Sequence, residues 1–176
     1  SEKTSYHCNL YSVKHSESSV DQTVQFFLKH GVESNKLVVG MAAYGRSFAN
    51  TNGYSCSFSG VGKGPGSDNA EGVWNYKELP IPGSKEEFDS KAGIAWCYDK
   101  KHRIFASYDN IQSSIKKGEY ASAKDLGGGM WWESSGLLRD REEGLVKAFV
   151  KGVEGSGKAK RTDEQNQIEC FSHSEY

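Results

Sequence analysis

Residues 125–135 read DLGGGMWWESS: three glycines, a methionine and two adjacent tryptophans before the chain turns polar. Side chains alternate along a strand, so Gly128, Met130 and Trp132 point one way and Gly127, Gly129 and Trp131 the other. Glycines at the start leave room for a neighbouring backbone, and the heavy side chains come at the C-terminal end, where parallel α/β architectures bind ligands. One tryptophan then belongs to the core, and the other stands at the mouth with a free face. A pyranose ring, with one C–H face and a rim of hydroxyls, suits such a plate. Covering about 100 Å² of apolar surface at about 25 cal/mol/Å² contributes on the order of 2.5 kcal/mol before ordering costs. The alternative is that both tryptophans are core.

Other chemistry-bearing residues give less. Glu133 follows Trp132, and Asp140, Glu142 and Glu143 open the last helix, where carboxylates act as caps and dipole partners. The five histidines include no i, i+4 pair, so no metal site is argued. Cys8, Cys56, Cys97 and Cys170 are too far apart for a C-x-x-C pair, and are either scattered buried thiols or include at least one disulfide. The glycine-rich run GVGKGPG lacks the G-K-[ST] and the strand-to-helix setting of a phosphate cradle, so neither nucleotide nor other cofactor is expected.

These residues need a scaffold. The first helix is expected over 20–30, with Ser19 as N-cap, Gln22 completing a capping box, Val20, Val24, Phe27 and Leu28 on one face, and Gly31 as the stop. KLVVGM, 36–41, is a continuous apolar run, the pattern of a strand buried on both faces. Segments 92–98 and 103–108 read as a hairpin turning at 99–102, with Ile94, Trp96 and Tyr98 on one face. Asp109 is placed to cap a helix over 111–124 with Gln112 in the capping-box position, and 127–132 is a second buried strand. Asp140 and Glu143 open a helix that carries Leu145, Val146, Phe149, Val150 and Val153 on one face, and a polar tail follows Gly155. The class is α/β, with an α+β insertion between the first strand and the next helix. Two parallel strands leave open edges and half-covered faces, so the unit reads as part of a larger domain.

Length and composition fit this. The chain has 176 residues, enough for one domain with a core, and 20 glycines with 12 % aromatics favour a strand-containing fold over disorder. The net charge of −1 is spread over interspersed signs, and no apolar run approaches a membrane span, so neither nucleic acid nor membrane is an expected partner. The N-terminal residues carry no charged-then-apolar signal pattern.

Four motifs occur in order: VVGMAAYGRSF, GVWNYKELP, SYDN and GGGMWWESS. Together they resemble the C-terminal portion of glycoside hydrolase family 18 chitinases, most closely the fungal type, over about residues 7–157. The opening HCNLY resembles the loop after that family's sixth strand. The resemblance implies part of a (β/α)8 TIM barrel: residues 1–46 hold helix six and strand seven, 47–108 the α+β insertion, 109–155 helix seven, strand eight and helix eight, and 156–176 the polar tail. It implies retaining, substrate-assisted cleavage of β-1,4-linked N-acetylglucosamine polymers, in which the sugar's acetamido oxygen attacks the anomeric carbon. A full-length monomer acting outside the cell or at the cell wall is implied too. The family's general acid closes a D-x-x-D-x-D-x-E run, and no Asp of this chain has another Asp three residues on. The chain then supplies a substrate-binding wall without the catalytic acid.

By motif, Trp132 resembles the floor of the subsite where the sugar is distorted, Met130 lines the same pocket, and Tyr44 and Arg46 resemble cleft residues that donate to sugar or acetamido oxygens. Glu71 stands one residue late in DNAEGVW relative to the family's W-E-N-G-V-W, and Ala42 replaces the family's usual proline. The plainer alternatives are a salt bridge for Arg46, a packed ring for Tyr44 and an exposed loop carboxylate for Glu71. A non-catalytic, chitin-binding, lectin-like relative and a structural fragment with no binding of its own are the competing functions.

Overall fold

The computed structural model describes residues 3–62, 64, 71–137 and 144–156. In chain order they form α1 (Val20–Lys29), β1 (Val38–Ala42), β2 (Tyr44–Phe48), β3 (Val73–Asn75), β4 (Glu86–Asp89), β5 (Ile94–Asp99), β6 (Ile104–Tyr108), α2 (Ile111–Ala123), β7 (Gly128–Trp132) and α3 (Leu145–Gly155). Two sheets result. β1 and β7 pair in parallel, Val38 opposite Gly128 through Ala42 opposite Trp132. The other five strands form an antiparallel sheet in the order β3-β2-β6-β5-β4, and among the described residues the helical component of this unit is a single 3-10 turn, Tyr76–Glu78.

The parallel pair is backed by helices. α2 and α3 pack closely because Gly118 and Gly152 sit at their crossing: a Cβ on Gly118 would collide with the carbonyl of Phe149, and one on Gly152 with that of Ile115. Leu10, Val24, Val39, Met41, Leu126 and Phe149 form the core beneath these elements. A second core, with Trp74, Ile81, Cys97, Tyr108 and Leu145, lies under the antiparallel sheet. Trp131 packs against both, its ring edge-on to Phe149 at 5.4 Å.

Local chemistry sets the element ends. Ser19 caps α1 by accepting from the amide of Gln22, and Gly31 takes the left-handed conformation, φ 85°, just past the helix. The hairpin of β5 and β6 has the expected turn, with Ala95 opposite Tyr108 and Asp99 opposite Ile104.

Several expectations change. α2 is capped by Asn110, not Asp109: the Asn110 side chain accepts from the amide of Ser113 while the Ser113 hydroxyl accepts from the amide of Asn110. Asp109 is fully buried and committed elsewhere. The parallel strands are covered on one face only. Val39 and Met41 are buried, whereas Val38, Met130 and Trp132 are exposed, because the described residues place helices on one side of this two-stranded sheet. Phe27 of α1 and Val146 and Val150 of α3 are likewise exposed, which narrows each helix's buried stripe. α3 is preceded by Gly144 as N-cap. The expected start at Asp140 and Glu143 and the tail after residue 156 lie outside the described residues. Cys8, Cys56 and Cys97 are free thiols, and Cys170 lies outside the described residues.

Candidate functional site

β1 and β7 run in parallel and end side by side, so Ala42 and Trp132 are neighbours at the carboxyl end of the sheet. The amide of Ala43 donates to the carbonyl of Trp132 at 2.8 Å, extending the pairing by one residue. The chain then enters β2 at Tyr44. The Trp132–Glu133 peptide is cis.

The alternation along β7 divides its two tryptophans. Trp131 turns into the core, its indole nitrogen buried. Trp132 turns outward and is 68 % exposed, beside Met130 on the same face at 50 %. Glycines make this placement possible: a Cβ on Gly129 would press on Trp131 and Phe149, and Gly128 adopts φ 137°, a region open to glycine.

Tyr44 and Arg46 meet directly, with the guanidinium carbon 5.7 Å from the centre of the Tyr44 ring, a cation–π contact. Tyr44 is half-buried and Arg46 exposed. Among the described residues Arg46 has no carboxylate within ion-pair distance. In register Arg46 lies opposite Val73 on one side and Ser107 on the other. Glu71 is exposed two residues before Val73, in the turn that leads into β3. The structure thus joins Tyr44 to Arg46 by contact, Met130 to Trp132 by strand face, and Trp132 to Tyr44 through the backbone of Ala43. Glu71 is tied to this group through the register of β3 alone.

Behind Tyr44 lies a network that sequence reasoning missed. The imidazole of His7 packs 5.1 Å from the Tyr44 ring, and the His7 amide donates to the Ser107 hydroxyl at 2.7 Å. Next to it, the Cys8 thiol lies 3.7 Å from His7 Nδ1 and 3.6 Å from Asp109 Oδ2. Asp109 accepts from Lys117 Nζ at 2.6 and 2.7 Å and from the Ser113 hydroxyl at 2.7 Å, and Lys117 also donates to the Cys8 carbonyl at 2.7 Å. Burial opposes the Lys117 charge, but the Asp109 carboxylate outweighs it and holds the ammonium above the usual lysine range. Burial, followed by the Asp109 charge, pushes the Cys8 thiol up, so this Cys–His–Asp grouping contains no thiolate nucleophile. His7 is pushed down to about 4, first by burial; Asp109 opposes this, while Arg46 and Lys117 add to it. Reading the histidines only for metal spacing gave no signal for His7. Asp109 and Lys117, eight residues apart, carried a faint one, two helical turns on a common face.

An exposed indole stands at the carboxyl end of two parallel strands, and the strand that follows directly carries a tyrosine with an arginine over its ring. The chain matches Glycosyl hydrolases family 18 over residues 1–136. It is similar to sporulation-specific chitinase 2 of Saccharomyces cerevisiae, 41 % identical over 170 residues that cover 87 % of this chain and 33 % of that protein. It is also similar to endochitinase 1 of Metarhizium robertsii, at 36 % over 77 % of this chain and 32 % of that one. Among solved structures, the catalytic domain of a psychrophilic chitinase B from Arthrobacter TAD20 superposes with TM-score 0.71 at 31 % identity, covering 88 % of this chain and 35 % of that chain. A family 18 chitinase from Cycas revoluta in complex with (GlcNAc)3 does so with TM-score 0.71 at 26 %, covering 87 % and 43 %. The chain belongs to glycosyl hydrolase family 18. It spans about a third of the length of these curated relatives.

Proposed function

We propose that this chain forms the substrate-binding wall of a chitinase-type glycosidase that cleaves β-1,4-linked N-acetylglucosamine polymers outside the cell or at the cell wall, with retention and by the substrate-assisted route. Trp132 is the sugar platform, Met130 its apolar flank, and Tyr44 and Arg46 donate to hydroxyl and acetamido oxygens. Glu71 approaches from the insertion side. The acid that protonates the leaving group is not among these residues, in keeping with the absence of a D-x-x-D-x-D-x-E run. Family membership and the chitinase relatives support the substrate class.

The observation that carries the reading is the contrast between the two tryptophans. One indole is 68 % exposed beside an exposed methionine at the carboxyl end of β7, and its partner one residue away is packed into the core. The test is a titration of the 176-residue chain with N-acetylglucosamine tetramer, followed by tryptophan fluorescence. Saturable quenching in the wild type that disappears in Trp132→Ala is expected. Equal quenching in both proteins would place the sugar elsewhere. The same chain is expected to leave a chromogenic chitobioside intact, and turnover above background would mean that it holds an acid of its own.

A further inference from the structure

His7 is held by three contacts, one of them with the binding wall. Its ring packs on Tyr44 at 5.1 Å. Its amide is fixed to the hydroxyl of Ser107, the residue directly opposite Arg46 in the sheet. Its Nδ1 faces the Cys8 thiol, whose sulfur leans on Asp109. If the single thiol hydrogen goes to Asp109, the imidazole carries its proton on Nδ1 and leaves Nε2 as an acceptor.

The charges around this ring are unbalanced. Arg46 of β2 and Lys117 of α2 both act on it as cations. Among the described residues the carboxylate that acts on it, Asp109, is already taken up by two bonds from Lys117 and one from Ser113. A neutral imidazole fits this setting. An imidazolium would sit against Arg46 with no free counter-charge, and the mobile partners are the exposed guanidinium and the half-buried Tyr44 ring, not the fully buried Lys117–Asp109 pair.

We propose that His7 is a positioning residue of the wall: its neutral imidazole seats Tyr44 and Arg46 for sugar binding, and its protonation unseats them. This rests on the reading of Trp132, Tyr44 and Arg46 as a sugar-binding wall. Burial and the two cations push the His7 imidazole down to about 4, so the wall stays seated through mildly acid conditions and loosens below them.

The experiment compares the wild-type chain with His7→Phe, which keeps a ring on Tyr44 but cannot take a proton. Tetramer affinity is measured between about pH 6 and about pH 3.5, a window that spans the acid side of histidine titration. Each protein is compared with its own affinity at the upper end, and at the lower end the wild type should have lost about tenfold more of it than the variant. Parallel pH profiles would overturn the proposal. A second readout needs no ligand: the Tyr44 ring resonances should shift with a midpoint at about 4 in the wild type. Tyr44 signals that stay still over that range would overturn it even if His7→Phe does not fold. A wild type that binds no tetramer at the upper end defeats the wall reading instead, and the Tyr44 titration still decides whether His7 seats the ring.

Discussion

Lys117 and Asp109 face each other eight residues apart, joined by hydrogen bonds of 2.6 and 2.7 Å, and neither side chain reaches solvent. The pair ties the first turns of α2 to the loop that carries His7 and Cys8, since Lys117 also donates to the Cys8 carbonyl. A buried charge is tolerated only while its partner is present. Lys117→Met is therefore expected to destabilise the protein by about 3–5 kcal/mol, and joint replacement with Asp109→Leu to recover most of that loss. Urea unfolding measures both. A loss below about 1 kcal/mol in the single variant would mean that water reaches the pair.

The adjacent tryptophans should respond oppositely. Trp131→Ala removes a ring packed on Phe149 and shared by both cores, with an expected cost of about 3–5 kcal/mol in stability. Trp132→Ala should leave stability within about 0.5 kcal/mol and weaken oligosaccharide binding by on the order of 2–3 kcal/mol. Thermal unfolding and calorimetric titration of the two variants separate these effects. Similar unfolding losses in both would contradict the division of the strand into a core face and an open face.

Helix packing offers a third check. Gly152→Ala puts a methyl group against the carbonyl of Ile115, a backbone atom with little freedom to move. Pushing α2 and α3 apart should cost about 1–3 kcal/mol, although alanine is the better helix former. Gly155→Ala has open space at its Cβ, and serves as the control in the same helix. Its unfolding midpoint should not fall.

Acid stability follows from His7. Its folded value, about 4, lies below the ordinary 6.5, so between these limits the unfolded chain binds a proton that the folded chain refuses. Stability is complete above the unfolded value, falls as pH drops through this window, and has lost on the order of 3 kcal/mol once the folded value is passed. Unfolding curves of His7→Phe should lack this component. A wild-type stability flat from about pH 7 to about pH 5 would show that His7 is solvated and titrates normally.

Much of this was legible in local sequence. The strand parity of GGGMWW assigned Trp131 and Trp132 to opposite faces, Ser19 and Gly31 bounded the first helix, and the hairpin of residues 92–108 turned where its polar residues stood. Motif order gave the family, and the proposal of Tyr44 and Arg46 as wall residues rests on that resemblance. The cap of α2 was misplaced by one residue, because Asp109 and Asn110 are both good caps and the choice depends on Lys117, two turns along the helix.

Sequence by itself determined α1, α2, the two parallel strands and the β5–β6 hairpin to within a few residues, and the two faces of GGGMWW, since those follow from alternation, helical spacing and capping among near neighbours, while β2, β3 and β4, which carry no such local pattern, were not read from it. The tertiary structure decided which of those faces are covered, that Arg46 rests on Tyr44, and that His7 stands behind them beside a buried ion pair. These depend on contacts between segments tens of residues apart, where burial and electrostatics are set by whatever the fold brings near, and no local pattern encodes that.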